Sequence, residues 1–251
     1  MLAQLFEPWA NDLVSRARLE AGQSVLDVAS GLGPVASRAA AVVGPQGRVV
    51  ASDISAPMLA RAAARPKGSG SHVIEYLECS AVALNLEDDS FDVVFCQQGL
   101  QFFADRATAV REMRRVVRPN GLVVISTWAA DHPLGLFGPI AETLNDMKVD
   151  EPYANAYDPA SYSMGASDLG ELFTRSGLRD VSVETREIDA VWETPEEAIC
   201  TLLGTPFGPL VTKLSLERQE QIRKALADRL VKSERGTVII RTVSNTALGR
   251  K

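Results

Sequence analysis

The chain has 251 residues, 46% hydrophobic and 23% charged, which fits a globular protein with a sizeable core and excludes global disorder. Lys and Arg number 26 against 32 Asp and Glu, a net charge of −6 that argues against a strongly basic nucleic-acid binder. Two histidines (His72, His132) and three cysteines (Cys79, Cys96, Cys200) form no C-x-x-C or H-x₃-H pair, so neither a Cys/His metal cluster nor a disulfide framework is expected.

Leu2, Leu5, Phe6, Trp9, Leu13 and Ala17 recur at helical spacing, so residues 1–22 open with an amphipathic helix. It either packs on a domain or covers a cofactor site with Phe6 and Trp9 as the lid. Glu7, Asp12 and Glu20 interrupt this segment, and it lacks the apolar stretch of a signal peptide. No run of about 18 apolar residues follows, so no transmembrane helix is expected and the expected location is the cytoplasm.

From Ser24 the rhythm changes. Ser24–Val28 is a buried-strand run; Gly31-Leu32-Gly33-Pro34 turns it into a helix over Val35–Val43, stopped at Gly44-Pro45. Arg48–Ser52 is a second strand ending at Asp53, and Pro57 opens a helix through Ala64. Pro66–Ser71 is a surface loop that leaves His72 exposed, and Val73–Leu77 is a third strand. An acidic turn at Glu87–Ser90 precedes a fourth strand, Phe91–Cys96. Asp105 caps a helix to about Arg118 whose arginines read as a solvated face; Pro119-Asn120-Gly121 turns the chain into a fifth strand, Leu122–Thr127.

Beyond Thr127 the pattern loosens. Residues 133–150 read as helical, 151–165 as a loop, and Ser167–Ser176 as a helix leading to a strand near Val181–Ile188. A helix from Pro195 to Leu203, an irregular stretch at 206–213, a charged helix over Leu216–Ser233 and a strand at Thr237–Thr246 complete the chain. Alternating strands and helices mean βαβ units, a mostly parallel sheet and helices on both faces. The two late strands complete the sheet as an edge pair, and the helices at 133–150 and 195–233 form a cap. Ligands in such sheets bind outside the carboxyl ends of the strands.

Two acids stand at those ends. Asp27 closes the first strand just before the glycines, where it would repel a pyrophosphate and attract a cation. Asp53 ends the second strand, where an acid accepts hydrogen bonds from both ribose hydroxyls. The run Ala29-x-Gly31-x-Gly33 lacks the third glycine of a G-x-G-x-x-G dinucleotide loop, since Ala36 stands there. The site therefore asks for a nucleoside that is positive on its 5′ side.

On these residues the sequence resembles the class I S-adenosylmethionine-dependent methyltransferases, in particular their small-molecule group of the type 11 kind. VLDVASGLG resembles the family's first motif, VVASDISAPML its second, LEDDSFDVVFCQQGLQFFADR its fourth-strand motif and VVRPNGLVVIS its fifth, together covering about Gln23 to Trp128. The resemblance implies a Rossmann-like, doubly wound, mostly parallel seven-stranded α/β sheet with a small helical cap. It implies a single methyltransferase domain: a helix at 1–22, a cofactor core at 23–128, cap insertions at 129–170 and 193–235, and sheet strands at 177–192 and 236–248. S-adenosyl-L-methionine is the implied cofactor. Asp53 and Ile54 would meet its ribose end, Met58 its adenine and Gln97 and Gln98 its methionine part, with Asp27, Ala29, Gly31 and Gly33 forming the loop. Ala29 stands where the family commonly has glycine. Ser80, beside Ala81, stands where the family often has an aspartate for the adenine amino group, and it accepts that bond without charge assistance.

For chemistry, His132, just past the fifth strand, is the candidate general base. Phe6, Trp9, Trp128, Phe137, Tyr162 and Trp192 are candidate walls for a small apolar or aromatic methyl acceptor; each has a core role as its alternative. Cys79 and Cys96 read as small core residues. The expected partner is a small molecule, with no nucleic acid or membrane, and the expected state is a monomer or homodimer. A non-methylating cofactor-binding protein and another enzyme on the same site, such as a cyclase or an aminopropyl transferase, remain alternatives. The Asn/Asp-Pro-Pro-aromatic run of DNA-amino methyltransferases is absent after the fourth strand.

Overall fold

The computed structural model describes residues 2–65, 74–130, 137–149, 163–205, 208–230, 233–234 and 236–251. His72, His132 and Tyr162 lie outside the described residues, as do the loops expected at 66–71 and over most of 151–165. The chain opens with α1 (Leu2–Ala17) and alternates through β1 (Ser24–Val28), α2 (Pro34–Val43), β2 (Arg48–Asp53), α3 (Ala56–Ala63) and β3 (Ile74–Glu78). It continues through β4 (Phe91–Gln97), a 3-10 turn (Leu100–Phe102), α4 (Arg106–Val116), β5 (Val117–Trp128), α5 (Gly138–Asp146) and α6 (Ala166–Arg175). The remaining elements are β6 (Arg179–Trp192), α7 (Pro195–Leu202), α8 (Gly208–Thr212), α9 (Leu216–Arg229) and β7 (Val238–Arg250).

The seven strands form one sheet in the order β3-β2-β1-β4-β5-β7-β6. The first five are parallel, and β7 runs antiparallel to β5, with Leu122 opposite Arg250 and Trp128 opposite Ser244. The late strands are thus the edge pair that the pattern predicts. Chain order reverses between β1 and β4, which makes the carboxyl ends of these two strands the switch point.

Alternating side chains load both faces of the sheet. Val25, Phe95 and Val124 pack under α1 and α2 with Leu13, Ala36 and Ala39. Leu26, Cys96 and Ile125 pack under α4 and α6 with Met113, Leu169 and Phe173. Asp105 caps α4 through its Oδ1, which accepts from Thr108 N at 2.9 Å. Of the arginines expected to form a solvated face, Arg111 and Arg118 are exposed, whereas Arg114 and Arg115 of α4 are half-buried and bonded. Arg115 donates to the carbonyls of Leu84 and Leu86 and pairs with Glu112 and Asp88. Arg118 pairs with Asp92 at 2.7 Å, and Arg114 donates to Gly177 O at 2.9 Å. Guanidinium groups capture the loop carbonyls beside them, a tertiary demand that helical spacing does not encode.

Three boundaries differ from expectation. The turn at Pro119–Gly121 lies inside β5 as a bulge, where the step from Phe91 to Val93 faces the longer step from Val117 to Leu122. Asn120 takes a φ of 63° there, and its N–H donates to Lys251 O. β7 runs on to Arg250, and Gly249 lets Phe173 of α6 approach so closely that a Cβ would stand 2.9 Å from its ring. Residues 208–212, expected to be irregular, form the short α8, too brief for periodicity to show.

By contacts the chain divides into two compact units. One holds Glu7–Trp128, Met164–Arg186 and Ser244–Lys251; the other holds Met1–Phe6, Ala129–Ser163 and Glu187–Val243. The first carries β1–β5 and both core layers. The second has its own core, in which Ile140, Leu144, Trp192, Leu202, Ile222 and Leu226 are buried.

Trp9 of α1 is buried and meets Trp128 edge-to-face, ring centroids 6.0 Å apart. A Trp9→Ala variant should lose about 3–5 kcal/mol of stability in urea unfolding. A loss under about 1 kcal/mol would show that Trp9 is a surface lid rather than a core residue.

Candidate functional site

The loop leaving β1 is shaped by backbone conformations that side chains resist. Gly31 and Gly33 have φ of 54° and 73°, the left-handed region that glycine enters without penalty. A Cβ on Gly31 would sit 3.8 Å from Met58 Sδ, so the methionine of α3 lies against the bare glycine. Ala29 also has a φ of 54°, which costs an alanine about 1–2 kcal/mol. Gln98 leaves β4 with a φ of 51°. The two strands at the switch point therefore each exit through a left-handed non-glycine residue. A Cβ on Gly99 would come within 2.8 Å of Ala29 Cβ, so these exits are in direct contact.

Two carboxylates hold the loop. Asp53 Oδ2 accepts from Gly31 N at 2.8 Å and Oδ1 from Ser55 N at 2.8 Å. Each oxygen keeps a lone pair for a further donor. Asp27 Oδ2 accepts from Ala36 N at 3.0 Å, in the first turn of α2. Its Oδ1 is buried without a hydrogen-bond partner among the described residues. Asp27 is 1% exposed; burial, helped by the Asp53 charge, pushes its carboxyl up to about 8 against the pull of the Ala36 N–H.

The other candidates fall around these acids or elsewhere. Ile54 and Met58, after β2, are exposed at 75% and 46% despite being apolar, as are Val82 after β3 and Phe102 after β4. Exposed apolar side chains at strand ends suit a flat apolar ligand. Ser80 and Ala81 are half-buried; Ser80 Oγ accepts from Val82 N at 3.4 Å. Burial pushes Cys96 up to about 12 and raises Cys79, so both are neutral thiols and not nucleophiles. Gln97 is half-buried at the end of β4. Gln98 turns into the sheet, where Nε2 donates to Ser244 Oγ at 2.9 Å, and Ser244 Oγ donates to Thr127 O at 2.9 Å.

Ser244 and Gln101 are polar residues that the sequence reading passes over. Gln101 is 2% exposed with neither side-chain amide atom partnered among the described residues, which is costly unless something binds there. For Gln101 the signal is a polar residue inside the apolar run Leu100–Phe103; Ser244 lies in the mixed run Val238–Ala247, which gives none. Among the aromatic candidates, Trp9 and Trp128 meet each other. Phe6 is half-buried and Phe137 buried, both in the second unit. Trp192 is fully buried and donates from Nε1 to Thr201 Oγ1 at 3.0 Å, so it builds the core of its unit rather than a pocket wall.

The arrangement suits a cationic nucleoside. Bare glycines admit a ligand to the backbone, Asp53 offers lone pairs to hydroxyls, and Asp27 offers a buried acceptor with no ion pair among the described residues. Comparison with known proteins agrees. The model of the ubiE/COQ5 methyltransferase family matches residues 1–132. A ubiquinone/menaquinone biosynthesis C-methyltransferase of Hahella chejuensis is 39% identical over 119 residues. That match covers 47% of each chain, so it spans about half the length of this relative. A demethylmenaquinone methyltransferase of Bacillus pumilus is 30% identical over 188 residues, covering 69% of this chain and 78% of that one. The solved structure of a Haemonchus contortus phosphoethanolamine N-methyltransferase with S-adenosyl-L-methionine superposes with a TM-score of 0.60 at 20% identity, over 97% of this chain and 52% of that one.

Two predictions test the loop. Between about pH 4 and about pH 8 the folded chain keeps a proton on Asp27 that the unfolded chain has released, so stability falls as pH rises through that window. Asp27→Asn keeps an acceptor for Ala36 N–H, and its melting temperature should lack that fall; parallel profiles for the two proteins would refute the assignment. Gly99→Ala should destabilise by about 1–3 kcal/mol through its clash with Ala29. Adding Ala29→Gly should recover part of that loss in a double-mutant cycle.

Proposed function

The chain belongs to the ubiE/COQ5 methyltransferase family, and from that premise we propose that it methylates a ring carbon of a small apolar aromatic acceptor of the hydroquinone type. S-adenosyl-L-methionine supplies an electrophilic methyl group on a sulfonium. The observation that carries the reading is the pair of strand-end acids, Asp27 and Asp53, which make no ion pair among the described residues, in a chain similar to a ubiquinone/menaquinone biosynthesis C-methyltransferase and a demethylmenaquinone methyltransferase.

Each residue has a stated part in this reading. Gly31 and Gly33 keep the backbone bare where the methionine part lies along the loop. Asp53 accepts the ribose hydroxyls with the lone pairs left by Gly31 and Ser55 N–H. Ile54 and Met58 cover the adenine, whose amino group Ser80, beside Ala81, accepts. Gln97 and Gln98 bound the methionine part at the end of β4. Much of the rate then comes from holding acceptor, methyl and sulfur in line.

A carbon acceptor adds one demand. Its ring hydroxyl must lose a proton so that electron density reaches the carbon, and the methylated carbon must then lose its own. His132 remains the candidate base for the first proton. Residues 129–170 and 193–235 are assigned to acceptor recognition, with Phe137 and Tyr162 as apolar contacts; Trp9 is left out because its ring is buried against Trp128. Trp192 is left out because its ring is spent inside a core. No helix among the described residues is long and apolar enough to cross a membrane, and we place the protein in the cytoplasm as a monomer or homodimer acting on a small molecule.

Calorimetry with S-adenosyl-L-methionine should show binding that Asp53→Ala weakens at least about tenfold, the loss of a charge-assisted bond or more. With labelled cofactor and a demethylated hydroquinone, label should appear on a ring carbon. Tight binding of the cofactor with no transfer to any hydroquinone would remove the acceptor assignment and leave the family intact. His132→Ala should lower kcat by about 10²-fold or more at unchanged cofactor affinity.

A further inference from the structure

The strand-end site is electrostatically one-sided. Asp27 and Asp53 close neighbouring strands, and the groups that act on Asp27 are the Asp53 charge on β2 and the Ala36 N–H of α2. Among the described residues, the Cys96 thiol on β4, itself neutral, also lies within reach of the Asp27 charge. Asp27 makes no ion pair among the described residues, and its Oδ1 is enclosed without a partner. A buried carboxyl in such a place neutralises by holding a proton, unless a positive charge arrives to take the proton's role.

The proposed reaction supplies and then removes such a charge. The methyl donor is a sulfonium, and the product left after transfer is a neutral thioether. The methyl–sulfur bond breaks with its electron pair staying on sulfur, the methyl–acceptor bond forms, and the acceptor releases a proton. The cofactor thus loses one positive charge in each turnover while the two acids stay where they are.

We propose that Asp27 is the residue by which the site distinguishes the cationic methyl donor from its neutral product. Its carboxyl releases a proton to solvent when the sulfonium nucleoside binds, and regains one once the methyl has gone. The buried site then keeps one net charge through the cycle, and the product becomes the weaker ligand. This rests on the cofactor reading above. Burial pushes the carboxyl up to about 8, so a cation bound against it would bring it down across the working pH.

The test uses the full chain and titration calorimetry with S-adenosyl-L-methionine and S-adenosyl-homocysteine. Titrations run from about pH 6 to about pH 8, in buffers of low and high ionisation enthalpy. One linked proton changes affinity by up to about tenfold per pH unit. The donor-to-product affinity ratio should therefore rise about tenfold or more over the range. The amino group common to both ligands cancels in that ratio. Donor binding should release close to one proton and product binding none, and Asp27→Asn should abolish both the slope and the release. Both ligands binding with a flat ratio and no proton release would overturn the inference while leaving the cofactor reading intact; an unchanged slope in Asp27→Asn would also overturn it. Absence of donor binding at every pH would sink the cofactor reading and this inference with it. Should Asp27→Asn fail to fold, the wild-type proton count decides alone.

Discussion

The loop after β1 exists because two carboxylates hold it. Asp53 takes the N–H of Gly31, and Asp27 takes the N–H of Ala36, so both ends of the turn from strand to helix hang on acids from neighbouring strands. The bonds from Gly33 N to Ser30 O and from Ser30 N to Ser52 O, and that from Arg65 to Leu32 O, brace the same turn. The same arrangement sets two acids where the strand order reverses, the Asp53 charge and the Asp27 carboxyl that burial pushes up to about 8. The loop's structural support and the site's electrostatic preference are therefore one feature. A ligand that needs the bare glycine backbone must also tolerate two acids, which disfavours pyrophosphate and favours a cation.

The exits of β1 and β4 add a second constraint. Ala29 and Gln98 both adopt φ near 50°, in contact through Gly99. Glycine at either position would enter that region freely. The alanine fills the space that a side chain on residue 99 would need, and the glutamine reaches Ser244 across the sheet. Strain at the strand ends is thus offset by packing and by a hydrogen bond from the antiparallel strand β7. Such strain persists only where its surroundings over-determine it. Here β7, a strand from the far end of the chain, takes part in shaping the β4 exit.

Much of this was legible in the sequence for a physical reason. β1 to β3 and β4 to β5 alternate with helices, and Pro34, Gly44 and Asp105 mark helix ends through local chemistry. Asp27, Asp53 and the glycines are adjacent to those landmarks, so their place at strand ends could be read directly. What escaped depends on distant partners. The bulge at Asn120 is set by pairing with Lys251, and the α4 arginines bind loop carbonyls a long way off in sequence. Trp192 looked like an available aromatic wall because nothing local shows its indole N–H turned toward Thr201. Gln101 is a single polar residue in an apolar run, and Ser244 stands among other small polar residues of β7, so neither carries a period that marks it out.

An acidic site for a cationic cofactor carries a thermodynamic difficulty. Charges that attract the donor would, if fixed, remain buried and unpaired both before it binds and after its charge is gone. Leaving an isolated anion in the interior is among the costliest arrangements a protein can adopt. A site can escape by staying solvated or by letting its anion take a proton. Asp53, 9% exposed and bonded to two backbone N–H groups, has its charge partly met by those donors. Asp27 has one such bond, an unpartnered second oxygen and almost no exposure, so the proton is its remaining route. The two acids are alike in sequence and unequal in setting. The outer one is suited to accept hydroxyls throughout the cycle, and the inner one to follow the charge that comes and goes.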